Sequence, residues 1–237
     1  MRALTFLASR FVAGDRIDEA IAAVRVLNDE GIKATLDNLG EDSLTREQSL
    51  AAAQENLLML RRIAESGVDA NISLKLTQLG LAIDPGLAQE NLIRIFEEAA
   101  RRKIFVRVDM ESSAWTQKTL DLFYSLHKRF PNTGIVLQAC LRRTESDVRD
   151  AVARGARVRL CKGAYREPAS VAFQDRLEVD RSYVRCLRTL MDGAGYPMVA
   201  THDPRMVKIA SALATRNGRV PGTYEFQMLY GIRPEEQ

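Results

Sequence analysis

The sequence predicts an α/β protein, a distorted (β/α)8 TIM-like barrel from which the eighth strand–helix unit is absent. Three observations lead to this prediction. Short β-favouring runs alternate with amphipathic helical segments, and the starts of successive runs lie roughly 25–40 residues apart, the length of one βα unit. Nearly every β-favouring run also ends in polar side chains. Strict alternation of this kind is typical of one parallel sheet wound with helices.

Seven runs have the composition of strands. Residues Ile135–Leu137 are apolar at consecutive positions, as expected of a strand that is covered on both faces. The predicted strands are Ala34–Gly40, Asn71–Leu76, Ile104–Met110, Gly134–Ala139, Val158–Lys162, Met198–His202 and Tyr224–Leu229.

The segments between the strands show helical spacing. In the first, Ile17, Ile21 and Val24 recur every three or four residues, and Gly31 follows as a stop signal. The predicted helices include Ile17–Asn28, Arg46–Ser66, Leu87–Lys103, Ser113–Phe130 and Arg176–Met191.

The count of seven strands raises a choice between two architectures. A doubly wound open sheet can use seven strands, but no GxGxxG or Walker A phosphate loop follows any of them. A closed barrel needs one more strand and helix, and the chain stops about where helix seven would begin. We therefore predict one barrel domain over residues 1–237, with an N-terminal helical segment at 1–33 and seven βα units at 34–237.

Composition is that of a soluble globular protein, with 46% hydrophobic and 27% charged residues. The net charge of +3, spread over interleaved acids and bases, gives no argument for a nucleic-acid partner. No apolar run approaches the roughly 20 residues that span a bilayer. The three cysteines form no CxxC pair, so we expect a reduced, cytoplasmic protein with no metal site, in which Cys140 and Cys161 are small buried residues.

Polar residues collect at the carboxyl ends of the predicted strands, where a (β/α)8 barrel builds its active site. Arg159 and Lys162 precede the small-residue turn Gly163–Ala164, which a ligand can approach closely. Two cations there favour an anionic or electron-rich ligand, and a solvated strand end with snorkelling basic side chains is the alternative. The other strand ends supply Asp37, Asn38, Lys75, Thr77, Gln78, Asp109, Glu111, Gln138, Thr201, His202, Asp203, Gln227 and Tyr230.

This set contains acids, cations, amides and an imidazole but no evident nucleophile, and it suits a polar, partly anionic ligand. Burying Lys75 and Asp109 among apolar neighbours is costly unless they serve a site, although these charged groups could simply pair with one another. His202 is expected to contact a ligand rather than a metal, because no second His or Cys has ligand spacing. His127 is expected at the surface of its helix.

In order and spacing, the strand ends resemble the proline dehydrogenase family in its single-function bacterial form. The resemblance covers essentially the whole chain and rests on motifs of up to eight residues. They are Ser-Leu-Lys-Leu-Thr-Gln-Leu-Gly (73–80), Arg-Val-Asp-Met-Glu (107–111), Gly-Ile-Val-Leu-Gln (134–138), Arg-Leu-Cys-Lys-Gly-Ala-Tyr (159–165), Ala-Thr-His-Asp (200–203) and Tyr-Glu-Phe-Gln-Met-Leu-Tyr-Gly (224–231).

The resemblance implies a barrel that holds FAD non-covalently, oxidises L-proline to 1-pyrroline-5-carboxylate and passes the electrons to a membrane quinone. Asp109 and Arg159 take catalytic roles, with Arg159 against the flavin N5 region. Lys75 would face the substrate carboxylate, and Tyr165 and Leu229 would form the pocket wall. The implied cofactor contacts are Met110, Gln138, Arg159, Lys162, Gly163, Ala164, Thr201 and His202. The implied location is cytoplasmic, compatible with peripheral contact at the inner face of the membrane.

Physical chemistry supports these roles independently. A hydride that leaves the ring carbon next to nitrogen makes the flavin electron-rich, and a fixed cation such as Arg159 stabilises that charge best when its position is set beforehand. The cofactor carries the redox chemistry, so no protein nucleophile is required. A small carboxylate substrate needs cationic contacts, for which Lys75 is a point-charge candidate.

The family's last strand–helix unit carries a tyrosine and paired arginines that grip the substrate carboxylate, and these 237 residues do not include it. We therefore expect a truncated chain that binds flavin weakly and turns over proline poorly. Two other functions stay open. One is a Schiff-base barrel aldolase that uses Lys75 or Lys162 as its amine, and the other is an inactive or partner-binding fragment. The sequence leaves the electron acceptor and the oligomeric state undetermined.

Overall fold

The computed structural model describes residues 12–14, 16–40 and 42–236. In this part of the chain, seven α-helices alternate with seven β-strands. In chain order the elements are α1 (Ile17–Asp29), β1 (Ala34–Asp37), α2 (Arg46–Ser66), β2 (Ala70–Leu74), α3 (Pro85–Arg102), β3 (Val106–Val108), α4 (Ser113–His127), β4 (Thr133–Gln138), α5 (Thr144–Ala153), β5 (Arg157–Cys161), α6 (Arg176–Asp192), β6 (Pro197–Ala200), α7 (Pro204–Arg216) and β7 (Glu225–Gln227), followed by a 3-10 turn at Pro234–Glu236.

The seven predicted strands are all present, and each ends before its predicted carboxyl-terminal residue. The first ends at Asp37 rather than Gly40, and the last ends at Gln227 rather than Leu229. The polar residues Asn38, Lys75, Asp109, Lys162 and Thr201 therefore lie in the loops that follow the strands. The five predicted helices are confirmed within three residues at each end.

Helix boundaries follow capping chemistry in the sequence. The Thr45 hydroxyl accepts a hydrogen bond from the backbone amide of Gln48, and the Thr45 amide donates to the side-chain oxygen of Gln48. Helix α2 stops at the left-handed Gly67. Helices α3 and α7 each start at a proline that follows a capping aspartate, Asp84 and Asp203. The same signal therefore marks two helices, of which only α3 overlaps a predicted segment.

The described residues divide into two compact units. The first unit contains the residues up to Val108 together with Lys128–Thr133 and the residues from Leu229 onward, and the second contains Asp109–His127 and Gly134–Met228. The organisation into one domain that the sequence favours stays a prediction.

In the first unit, β1, β2 and β3 pair in parallel, with Ile72 opposite both Leu36 and Val106. Apolar residues of α2 and α3 cover the sheet, and Leu60, Leu92 and Ile95 are fully buried. The strands also bury polar side chains. Arg107 is completely buried and donates from Nη1 to the Ser73 hydroxyl at 2.9 Å. This alternation places aliphatic side chains under the helices and leaves the other face of the strands polar.

In the second unit, β4, β5, β6 and β7 pair in parallel and in chain order. Strand β5 alternates, since Val158 and Leu160 are fully buried while Arg159 and Cys161 are half-buried. Arg219, after α7, donates to five backbone carbonyls and thereby closes the carboxyl end of α6, with acceptors at Leu190, Met191, Gly193, Gly195 and Thr223. The alternation of β5 places Arg159 and Cys161 on the face opposite Val158 and Leu160.

Two expectations from the sequence are wrong in this region. His127 is buried rather than exposed, and its ring stacks on Phe123 with the centroids 5.0 Å apart. Burial lowers the pKa of His127, because the charged imidazolium is poorly solvated there. Cys140 and Cys161 are only half-buried, while Cys186 is the buried thiol. Within the described residues, no helix is long and apolar enough to cross a bilayer.

Candidate functional site

Arg159 projects from β5 on the face opposite Val158 and Leu160. Its Nε donates to the side-chain oxygen of Gln227 at 2.5 Å, and its Nη1 lies 3.2 Å from a carboxylate oxygen of Asp109. The Arg159 side chain is 19% exposed and that of Asp109 is 15% exposed. Two contacts therefore fix the guanidinium, and among the described residues no acceptor takes its Nη2 donors.

Lys162 follows directly after β5 and belongs to a cluster of four charges. Its ammonium contacts Asp180 at 2.5 Å and Asp203 at 2.9 Å, and Arg205 bridges both carboxylates from the solvent side. The two carboxylates are at least 85% buried, whereas Arg205 is 61% exposed. The cluster carries two positive and two negative charges, so Lys162 is held in place with its charge compensated.

These contacts hold the pKa values of both carboxyls below the usual range for aspartate. For Asp203 the hydrogen bonds from Arg205 outweigh the opposing effect of burial, and Lys162 adds to them. For Asp180 burial raises the pKa, but the hydrogen bonds from Lys162 and Arg205 reverse the balance and lower it. Both residues therefore stay ionised at neutral pH.

The turn after Lys162 brings the backbone close to β4. Gly163 has φ +116°, and a Cβ atom there would lie 2.3 Å from Sγ of Cys140, so only glycine fits without a shift. The buried Gln138 side chain donates to the carbonyl of Glu111 at 2.9 Å and turns its oxygen toward the amide of Ala164 at 3.4 Å. The exposed Gly163–Ala164 backbone is thus supported by Gln138 and Cys140 from beneath.

At the end of β6, the Thr201 amide donates to the carbonyl of Gln227 at 3.2 Å, and the Thr201 hydroxyl accepts from the Asp203 amide at 3.1 Å. His202 stands between them and is half-buried. Met110, directly after Asp109, is buried. Thr201 and His202 thus add polar groups after β6, between the strand ends of β5 and β7.

The structure brings together most of the predicted site residues in the second unit. Asp109, Arg159 and Gln227 form one connected group, and Gln138 lies beside Gly163 and Ala164. The half-buried Tyr165 follows on the same loop. In the first unit, Lys75 contacts Asp37 at 2.9 Å with 14% of its side chain exposed, and Leu229 is exposed. Pairing between the charged groups, the alternative left open by the sequence, is therefore realised for Lys75, Arg159 and Lys162.

Sequence reasoning missed two charged members of the site, Asp180 and Arg205. Both lie within helices, whereas the search followed the strand ends. The Asp-Pro pair at 203–204 signals a helix start, and Arg205, the second residue of that helix, contacts both carboxylates. Asp180 lies in the second turn of α6, where no motif in the sequence singles it out. Glu225, whose carboxylate accepts a hydrogen bond from the Gln227 side-chain amide, was a third charged residue that was missed.

Comparison with known proteins gives a consistent result. The family model described as proline dehydrogenase matches residues 20–235. The chain is 37% identical over 230 residues to Proline dehydrogenase 2 of Bacillus subtilis (strain 168), covering 97% of this chain and 76% of that protein. It is 34% identical over 236 residues to Proline dehydrogenase of Deinococcus radiodurans, covering 98% of this chain and 76% of that protein.

Among solved structures, proline utilization A (PutA) of Bdellovibrio bacteriovorus matches with a TM-score of 0.88 and 24% identity, covering 96% of this chain and 29% of that chain. At this identity the likeness concerns the fold. It confirms the fold class predicted from the sequence, a distorted barrel of alternating strands and helices, with seven strands in the described part of this chain.

Proposed function

The chain belongs to the proline dehydrogenase family of oxidoreductases, and on this premise we propose that it oxidises L-proline to 1-pyrroline-5-carboxylate with FAD as hydride acceptor. The observation that carries the proposal is the guanidinium of Arg159, fixed between Asp109 and Gln227 at a strand end. A cation held in this way stabilises negative charge that develops on a neighbouring group without reorganising first.

The residues around β5 fit a flavin on two grounds. The donor set is suitable, because Arg159 has five N–H groups and uses only two of them in contacts with described residues. The backbone is also suitable, because Gly163 and Ala164 are exposed and Gly163 carries no side chain. When bound, FAD would supply the redox chemistry.

We assign the cofactor contacts as follows. Arg159 would lie at the flavin N5 region, and Gln138 and the backbone at Met110 would contact the ring. Lys162, Gly163 and Ala164 would lie along the ring and its ribityl–phosphate side, and Thr201 and His202 would hold the remainder. Asp109 would orient the charged groups around the substrate through its contact with Arg159.

For the substrate, we assign Lys75 to the carboxylate of proline and Tyr165 and Leu229 to the pocket wall. Lys75 already has a carboxylate neighbour in Asp37, at 2.9 Å. The ammonium would therefore be positioned by Asp37 as a point charge facing the substrate carboxylate. The electrons would pass from the reduced cofactor to a quinone, at the membrane surface.

The contacts of the two lysines disfavour the aldolase alternative. A Schiff-base lysine is activated by an apolar or cationic neighbourhood. Lys75 contacts Asp37, and Lys162 contacts Asp180 and Asp203. Neither ammonium group therefore has the apolar or cationic surroundings that activate such an amine.

The proposal is tested by the visible absorption of the purified protein after incubation with FAD. A flavin spectrum that survives desalting and bleaches on anaerobic addition of L-proline is the expected result. A protein that stays colourless, or a bound flavin that proline leaves oxidised, contradicts it. Borohydride trapping with a carbonyl substrate is the companion assay, because a covalent adduct at Lys75 or Lys162 would support the aldolase instead.

A further inference from the structure

A continuous chain of hydrogen bonds between half-buried side chains of the second unit runs to Arg159. The Tyr196 hydroxyl donates to a carboxylate oxygen of Glu225 at 3.0 Å. The other carboxylate oxygen of Glu225 accepts from the side-chain amide nitrogen of Gln227. The side-chain oxygen of Gln227 in turn accepts from Nε of Arg159 at 2.5 Å, and Arg159 reaches Asp109 with Nη1. The hydrogen bonds thus connect Tyr196, just before β6, to Arg159 and through it to Asp109.

The order of donors and acceptors in this chain leaves the Gln227 amide one orientation. A guanidinium can only donate, and an ionised carboxylate can only accept. The amide must therefore present its oxygen to Arg159 and its NH2 group to Glu225. A reversed amide would place NH2 against the guanidinium and oxygen against the carboxylate, and both contacts would be lost. Glu225 consequently locks Gln227, and the locked oxygen fixes the direction of the Arg159 Nε–H bond.

The contact between Arg159 and Gln227 crosses a whole strand. Strand β6 lies between β5 and β7, with Met198 opposite both Arg159 and Glu225, and with Ala200 opposite Gln227. Adjacent strands are about 4.8 Å apart, so side chains on β5 and β7 must bridge about twice that distance. The single methyl group of Ala200 leaves the space over which the two side chains meet. A larger side chain at this position would fill that space.

We propose that Gln227 and Glu225 are positioning residues that aim the guanidinium of Arg159 at its ligand, with Ala200 as the gap through which they reach it. The inference rests on the proposed place of Arg159 beside the flavin and adds what holds it there. Arg159 has a long side chain with many rotamers, and a charge stabilises a developing negative charge fully only when its position is set in advance. Gln227 and Glu225 supply that constraint.

The main test is Gln227→Met, which keeps the side-chain length and removes the polar amide. In the FAD-loaded protein, we expect the rate of anaerobic flavin reduction by L-proline to fall about 10- to 100-fold, the usual cost of losing an outer partner of a functional group. The midpoint potential of the bound flavin should become more negative, and FAD affinity should change little. A protein that loses only FAD affinity and keeps both other quantities overturns the proposal.

Gln117→Met is the matched control. The Gln117 amide also stands between a carboxylate and an arginine, Asp121 and Arg143, but on the exposed surface of α4. The Gln117→Met variant should leave the rate of flavin reduction and the midpoint potential of the flavin unchanged. An equal loss in both variants would show that the effect is a general consequence of removing such an amide.

A double-mutant cycle isolates the path through Arg159. In an Arg159→Met background, Gln227→Met should cause no further loss of reduction rate, because its effect passes through the missing guanidinium. If each substitution instead lowers the reduction rate by its own factor and the two factors multiply in the double variant, the proposal is wrong. If Gln227→Met does not fold, Glu225→Gln takes its place, since a neutral amide there no longer dictates the orientation of Gln227 and should produce a smaller loss of the same kind.

A flavin-free measurement separates this inference from the proposed function. The Arg159 Nε–H should give a slowly exchanging NMR signal that is absent from Arg159→Met and lost in Gln227→Met and Ala200→Leu. If that signal persists in Gln227→Met, the positioning role is wrong. If wild-type protein takes up no FAD while the signal behaves as expected, the proposed function fails and the positioning of Arg159 stands.

Discussion

Arg159 and Lys162 stand three residues apart at the same strand end, yet the protein holds them differently. Arg159 is fixed by a neutral amide and one carboxylate, and donors on its far nitrogen are not taken by described residues. Lys162 faces two buried carboxylates that Arg205 also bridges. The guanidinium therefore keeps N–H donors available to a ligand, whereas the ammonium belongs to a neutral cluster. We infer that Arg159 serves the chemistry and that Lys162 serves cofactor affinity and the stability of the fold.

The strongest test of this comparison is Arg159→Met. If Arg159 stabilises the reduced flavin, the anaerobic rate of flavin reduction by proline should fall about 100- to 1,000-fold, the cost of removing a group that stabilises transition-state charge. Stopped-flow absorbance of the FAD-loaded protein measures this rate.

The matched control is Arg142→Met, in the same unit, because Arg142 lies over the Phe173 ring and donates to the Ala169 carbonyl. It should reduce at the wild-type rate. A reduction rate within threefold of wild type for Arg159→Met would remove the distinction between the two cations.

Lys162→Met should affect stability more than Arg159→Met does. It leaves two mostly buried carboxylates with Arg205 as their remaining basic partner in the cluster. Breaking a buried ion pair costs about 3–5 kcal/mol, and the partial exposure of Lys162 reduces our expectation to about 2 kcal/mol of unfolding free energy. Urea unfolding measures it, and an FAD titration should show weaker binding.

Adding Asp180→Asn to Lys162→Met should recover part of the lost stability, because it removes the one carboxylate charge that Arg205 alone does not compensate. A stability loss for Arg159→Met as large as that for Lys162→Met would contradict the division of roles between the two cations.

The glycine that follows Lys162 gives a third, smaller effect. Gly163→Ala should cost about 2 kcal/mol, since it combines a positive φ with overlap against Cys140. Gly155→Ala is the control, because Gly155 also has positive φ but has open space around its Cβ position, and it should cost about 1 kcal/mol. Thermal unfolding of both variants measures the difference.

When Gly163→Ala is combined with Cys140→Ala, it should destabilise the protein no more than Gly155→Ala does. If the extra destabilisation persists in that double variant, the overlap with Cys140 is not its cause.

The smallest effect is a change in acid stability. The folded-state pKa of Asp203 is lowered by Arg205 and Lys162, so its stabilising contribution is present above the unfolded pKa of about 3.9 and is lost as the pH falls toward the folded value. As the pH falls below about 4, the unfolding free energy of Asp203→Asn should therefore decrease by about 1–2 kcal/mol less than that of wild type. Urea unfolding at a series of pH values measures this.

Asp175→Asn is the matched control, because Asp175 caps α6 through backbone amides and asparagine caps equally well. An acid profile of Asp203→Asn that coincides with wild type would contradict the role of the cluster.

Much of this arrangement follows from the sequence. Strand ends could be found because β-branched runs break off into polar residues, and Arg159, Asp109 and Gln227 all come from such ends. Asp180 and Arg205 were not predicted as site residues, because a charged residue in a helix shows the same sequence pattern whether it faces solvent or a neighbouring strand end. His127 was misplaced for a related reason, since its polar neighbours Lys128 and Arg129 concealed a contact with Phe123 one turn earlier. The hydrogen-bond order through Gln227 depends on register across three strands, which no local pattern contains.

The two carboxylate oxygens of Asp203 have different roles. Oδ1 accepts from the backbone amide of Arg205 and so begins helix α7, while Oδ2 accepts from Lys162. An asparagine offers one acceptor oxygen and can perform only one of these tasks, and a glutamate is too long for the cap. Position 203 should therefore favour aspartate, and a saturation library selected for folded, cofactor-retaining protein should return aspartate there more often than asparagine or glutamate.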